Sequence, residues 1–180
     1  MTIEFYILDL IQQIRTPLGD QLMCIVTKTG NAGAIWILLT IVLLCVPKTR
    51  RSGLCVAAAL ILDAVLCNGI LKPLIGRIRP FDVNTAVQLL IQRPADFSFP
   101  SGHTAAAFAT VAALFFSREK KLWKITLVMA ILIAFSRLYL YVHYPTDVLG
   151  GIVVGGLCGY VGWRLCTKCV SAGNRHKKEM

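Results

Sequence analysis

Apolar residues along this chain come in long runs, without the alternation of a half-buried strand or the three-to-four rhythm of an amphipathic helix. Residues 32–46 carry no charge, and residues 54–71 carry only Asp63. Three further runs follow at 104–116, 125–142 (broken by Ser136 and Arg137) and 148–163. Each is near or slightly below the ~17–25 residues that a spanning helix needs. Flanking Lys and Arg can snorkel and Trp can anchor at the interface, which lengthens the effective span. The pattern predicts five membrane-spanning helices. Residues 2–16 differ: Ile3, Phe5, Ile7, Leu8, Leu10, Ile11 and Ile14 are mixed with Glu4, Asp9, Gln12, Gln13 and Arg15, as in an amphipathic helix. Pro17 interrupts it, and 18–29 form a second, short apolar piece, so 1–30 reads as an interfacial helix feeding a short or partial sixth membrane helix. The expected fold is an all-α polytopic bundle of about six helices.

Composition agrees with that class. Of 180 residues, 56% are hydrophobic and 16% charged, against roughly 25% charged in a soluble domain. No linker or internal repeat divides the chain, so 1–180 is one membrane-embedded domain. No basic start precedes a clean apolar stretch, which argues against a cleavable signal peptide. The net charge of +10 is distributed as a topology signal, with no stripe for nucleic acid. Lys48, Arg50 and Arg51, then Arg118, Lys120, Lys121 and Lys124, then the tail 165–180 with Lys168, Arg175, Lys177 and Lys178 fall on one side if each run crosses once. The positive-inside rule makes that side, and the C-terminus, cytoplasmic. The seven cysteines form no disulfide framework; Cys166 and Cys169 have C-x-x-C spacing but lack a second ligand pair for zinc. No metal site or cofactor is expected.

The remaining polar residues gather on the opposite face. Lys72, Arg77, Arg79 and Arg93 lie in a Pro-rich connection, 72–101, where positive charge runs against the topology rule. Pro100-Ser101-Gly102-His103 opens the third run, and free N–H groups at such a helix start suit an anion. Arg137, His143 and Asp147 end on the same face, since successive helices alternate in direction. Singly each has a bland reading, as anchor, interfacial His or helix-dipole partner. Together, cations, two imidazoles, a carboxylate and a helix N-terminus describe an anion site with acid–base equipment.

The segments Lys72-x6-Arg79-Pro80, Pro100-Ser101-Gly102-His103 and Ser136-Arg137-x5-His143-x3-Asp147 resemble the three-part signature of the type 2 phosphatidic acid phosphatase (PAP2) superfamily in residue type, spacing and order. The resemblance implies a membrane lipid phosphatase working through a phosphohistidine. His143 would be the nucleophile, Asp147 its orienting partner and His103 the general acid and base, while Lys72, Arg79, Arg137, Ser101 and Gly102 hold the phosphate. Arg137 is the expected bidentate clamp. Asn68 either lines the pocket floor or bonds across helices. Arg77 either touches phosphate or headgroup, or is a solvated loop charge. Asp63, placed roughly opposite Lys72 around the helix, is assigned an interhelical hydrogen bond, and Gly151, Gly155 and Gly159 a close helix contact. A lipid phosphotransferase using the same site and an anion transporter are the competing readings; the latter has no need of paired histidines. The implied partners are the bilayer and a lipid phosphate: phosphatidylglycerol phosphate, phosphatidic acid or undecaprenyl diphosphate. Undecaprenyl-diphosphate phosphatases often carry Asp where Gly102 stands, which tilts the reading towards phospholipid phosphates.

Overall fold

The computed structural model describes residues 3–176, with side chains to residue 168; Lys177 and Lys178, and the side chains of Cys169 and Arg175, lie outside the described residues. Every regular element described is helical. The first apolar run does not make a span of its own. Ala32 and Gly33 take φ of 50° and 70°, a left-handed step that separates α2 (Pro17–Thr29) from α3 (Ala34–Cys45). At 12 residues, α3 is about 18 Å long, too short for the ~30 Å hydrocarbon core. The two helices instead form one element bent by 46°. Pro17 does more than interrupt: it occupies the first turn of α2 behind an N-capping Thr16, whose hydroxyl accepts the Gly19 N–H at 3.1 Å.

Among the described residues, three helical stretches are long and apolar enough to cross a membrane: Arg50–Val83, Leu122–Tyr139 and Pro145–Lys168, or four with the bent pair. The expected five spans and six-helix count are therefore matched only in part, because α7 (Gly102–Phe116) has 15 residues. It is nevertheless the central helix, packed against α4 (Arg50–Asp63), α8 (Leu122–Tyr139) and α9 (Pro145–His176). Small residues permit this. A Cβ at Gly151 would lie 2.7 Å from the carbonyl of Ser101, the residue capping α7, and one at Gly155 or Gly159 would lie 2.2 or 2.5 Å from α7 atoms, with Ala105, Ala109 and Ala113 fully buried opposite.

α1 (Ile3–Gln13) lies against the turn between α8 and α9. Gln12 donates to the Tyr139 carbonyl and the Tyr141 hydroxyl donates to Asp9, while Ile3, Tyr6, Leu10 and Ile14 face outward. That division of polar and apolar sides suits a helix at a lipid interface.

A π-helical segment, Ala64–Leu71, joins α4 to α5 (Lys72–Ile75). It corrects the placement of Asp63. Nine residues of α-helix would turn through about 900° and leave Asp63 opposite Lys72; the slower π turn, at roughly 80° per residue, brings the two back into phase. Both line one cavity. The expected interhelical hydrogen bond of Asp63 is absent: its buried Oδ1 has no partner among the described residues.

Candidate active site

The turn after α8 sets the site. Tyr141, at φ 58°, reverses the chain two residues before His143, and Pro145 starts α9 so that Asp147 falls in its first turn. His143 and Asp147 are both buried. The imidazole Nε2 lies 3.2 Å from Arg79 Nη1, which can only donate, so Nε2 is the acceptor and Nδ1 carries the proton. Nδ1–H points to Asp147 Oδ2 at 3.4 Å. Burial is the main cause that holds His143 below its ordinary pKa; the Asp147 hydrogen bond opposes it, and Arg79 and Arg137 reinforce it. Burial thus favours the neutral ring, with the Nε2 lone pair turned towards the cations and accepting from Arg79.

Asp147 is held on every side. Its Oδ2 also accepts the Ser98 hydroxyl at 2.5 Å and the Tyr144 N–H at 2.9 Å, and its Oδ1 accepts Arg77 Nη1 at 2.6 Å. Its backbone carbonyl accepts the Ser101 N–H at 3.0 Å, which ties the start of α7 to the start of α9.

A cavity of about 490 Å³ opens in front of His143, lined by Lys72, Arg79, Arg137, Gly102 and His103. Six of the eight residues expected to act on phosphate thus meet at one space, and Asp147 stands directly behind His143. Arg137 is 2% exposed and donates to Thr27, while its Nε has no partner among the described residues. A planar fork with an open donor is what a bidentate phosphate clamp requires. Ser101 departs from expectation. It is fully buried and its hydroxyl accepts the Thr104 hydroxyl at 3.0 Å, so it does not line the cavity and braces the α7 start instead.

His103 Nε2 lies 2.9 Å from Asn31 Oδ1, an acceptor, which places a proton on that nitrogen. A Cβ at Gly30 would come within 3.0 Å of the same ring, so the break between α2 and α3 forms one wall of the site. Arg77 fits neither expected role. It binds Asp147, the Thr146 hydroxyl and Glu4 Oε2, each at 2.6 Å, with its guanidinium 4.0 Å from the centre of the Tyr144 ring. Asn68 lines a second, adjoining cavity.

Asp96, Ser98, Asn31 and Glu4 are the participants that the sequence reading passed over. Asp96 pairs with Lys72 and, at 2.7 Å, with Arg79, placing a carboxylate between two of the cations expected to hold phosphate. Burial opposes its ionisation, yet the hydrogen bonds and charges of Lys72 and Arg79 hold its carboxyl below the usual range. It is the one acidic residue in 84–100, a signal that the cation-rich connection offered. Glu4, Asn31 and Ser98 carried no comparable mark.

Comparison with known proteins agrees with this geometry. Residues 52–171 match the family described as the PAP2 superfamily. Over 159 residues the chain is 30% identical to an undecaprenyl-diphosphatase of Sulfolobus acidocaldarius, covering 88% of this chain and 75% of that one. Among solved structures, Aquifex aeolicus LpxE is similar with a TM-score of 0.79 at 30% identity, over 91% of this chain and 96% of that one. A PAP2 type phosphatidylglycerolphosphate phosphatase from Bacillus subtilis gives 0.74 at 30% identity, over 92% and 85%.

Proposed function

The chain belongs to the PAP2 superfamily and is a membrane lipid phosphatase, and from that premise we propose that His143 carries the phosphoryl group between lipid and water. The carrying observation is the neutral, buried imidazole with its Nε2 lone pair facing the cationic cavity and its Nδ1–H facing Asp147. Nε2 attacks phosphorus as the bond from phosphorus to the lipid oxygen breaks, and His103 gives its proton to that leaving oxygen. Water then attacks the phosphohistidine, its proton passes to His103, and the P–N bond breaks to release phosphate. Proton transfer of this kind contributes ~10²–10⁴-fold. Lys72, Arg79, Arg137 and the N-terminal amides of α7 neutralise the charge on the equatorial oxygens; a single lost donor of this type costs ~10²–10³-fold. These fixed cations take the part a divalent metal plays elsewhere, so catalysis runs without one.

In the same reading the bent α2–α3 pair, α4, α7, α8 and α9 make five crossings. The basic clusters and C-terminus are then cytoplasmic, and the site lies at the outer face. Phosphatidylglycerol phosphate, phosphatidic acid and undecaprenyl diphosphate all offer a terminal phosphate at headgroup depth.

The test is turnover of these lipids by purified protein in detergent containing EDTA, with trapping of the phosphoenzyme. Wild type should release phosphate and form an acid-labile adduct, and His143→Ala should do neither. Near-normal activity of His143→Ala, or a strict need for added Mg²⁺, would defeat the mechanism.

A further inference from the structure

Beside the phosphate cavity lies a second one of about 330 Å³, lined by Asp63, Asn68, Lys72, Gly102 and His103 together with apolar Ile37 and Leu60. It shares Lys72, Gly102 and His103 with the first, so the two spaces meet at the group assigned to protonate the leaving oxygen. The leaving group of a phosphate ester held in the first space would face this second one.

Asp63 is its unusual feature. The residue is 2% exposed, its Oδ1 has no hydrogen-bond partner among the described residues, and it sits within an apolar helix. A buried carboxyl oxygen without a hydrogen bond is costly, and an ionisable residue at membrane depth is a functional candidate by default. The π segment that follows it is a second, independent sign. Such segments are rare and recur at functional sites, and this one turns Asp63 onto the face of Lys72. A third is Gly102, where any Cβ would lie 3.0 Å from Asn68 Oδ1 and 3.5 Å from Lys72 Nζ. Its missing side chain keeps the passage between the cavities open.

We propose that Asp63, with Asn68, forms a subsite for a hydroxyl on the leaving group, selecting lipid phosphates whose phosphate is borne by a polyol. Neighbouring Lys72 and His103 disfavour a cation there. A carboxylate accepts from a hydroxyl and a protonated carboxyl exchanges hydrogen bonds with one, so the pairing holds in either state. An ionised Asp63 would also repel a diphosphate, whose leaving group is itself an anionic phosphate. The proposal rests on the lipid-phosphatase reading and narrows its substrate to esters such as phosphatidylglycerol phosphate.

The experiment compares phosphatidylglycerol phosphate with a synthetic analogue lacking the hydroxyl of its terminal glycerol, using wild type, Asp63→Leu and Asp63→Asn. Wild type should prefer the hydroxylated lipid by about 10–100-fold in kcat/KM, the range expected for a hydrogen bond to a charged group. Asp63→Leu should lose that preference while keeping its rate on the deoxy analogue, and Asp63→Asn should retain part of it. The thermal midpoint of Asp63→Leu should hold or rise, since an unsatisfied buried group is removed. Equal losses on both lipids with a lower midpoint would overturn the proposal in favour of a packing role. An unchanged preference in Asp63→Leu would show that the hydroxyl does not reach the residue. Wild type inactive on both lipids but active on undecaprenyl diphosphate would overturn the subsite alone, whereas inactivity on every lipid phosphate, phosphatidic acid and undecaprenyl diphosphate included, would sink the phosphatase reading.

Discussion

Replacing Arg77 with Gln separates two roles that its position in the chain leaves open. In the structure Arg77 bridges Glu4 on α1 and Asp147 behind His143, each at 2.6 Å, and is 27% exposed while Asp147 is wholly buried. Breaking a buried pair by removing one partner costs roughly 3–5 kcal/mol. Here Asp147 keeps the Ser98 and Tyr144 bonds on Oδ2 and water can reach the Arg77 side, so about 2–3 kcal/mol of stability is the expected loss. The effect on catalysis runs through Asp147, which would be freer to rotate away from His143 Nδ1–H. A charged hydrogen bond of ~1.5–3 kcal/mol expressed in the transition state gives about a 10–100-fold drop in kcat. KM should scarcely change, since Arg77 is absent from the lining of the phosphate cavity. Arg77→Lys should recover only part, because an ammonium lacks the planar fork that reaches both carboxylates. Glu4→Gln should lower kcat in the same direction by less. The assay is initial-rate phosphate release from a lipid phosphate in detergent micelles across a KM-spanning range, with thermal unfolding of each variant beside it. A raised KM with unchanged kcat would refute the argument and return Arg77 to the phosphate or headgroup.

Asp96 should behave as a competitor for the phosphate cations. Its folded pKa is depressed, so its pairing with Lys72 and Arg79 is present above the ordinary carboxylate range and is lost only as pH falls through the folded value. Asp96→Asn should therefore tighten inhibition by orthovanadate about tenfold near neutral pH; weaker inhibition would mean that Asp96 holds the cations in place for substrate. Topology is tested by single cysteines in a background lacking the seven native ones. With a membrane-impermeant maleimide on intact cells, exposed Thr85→Cys should label from outside and exposed Lys120→Cys only after lysis; the reverse pattern would invert the orientation.

Much of this site was legible in the sequence because its two determinants are local. Lipid burial is written into composition, so every apolar run coincides with helix, and the signature residues sit at helix ends that alternating direction brings to one face. Lys72, Arg79, Gly102, His103, Arg137 and His143 line a single cavity accordingly. What escaped depends on phase and on loop path, and neither is local. The α-helical period put Asp63 opposite Lys72, and only the π segment, which leaves no composition signal, returns it to the same side. The connection 84–101 has no periodicity, so although Asp96 stands out there as the one carboxylate, its path between Lys72 and Arg79, like the reach of Ser98 to Asp147, could not be read from the sequence. Glu4 belongs to the region 1–30 read as an interfacial helix feeding a short or partial sixth membrane helix, and Asn31 lies just past it, yet they touch Arg77 and His103. The amino-terminal helices therefore buttress the candidate site, because Glu4 on α1 holds the Arg77 that binds Asp147, and the α2–α3 break supplies Asn31 to His103. Loss of α1 should then depress kcat through Arg77 and Asp147 even where the signature residues and the membrane-crossing helices are intact.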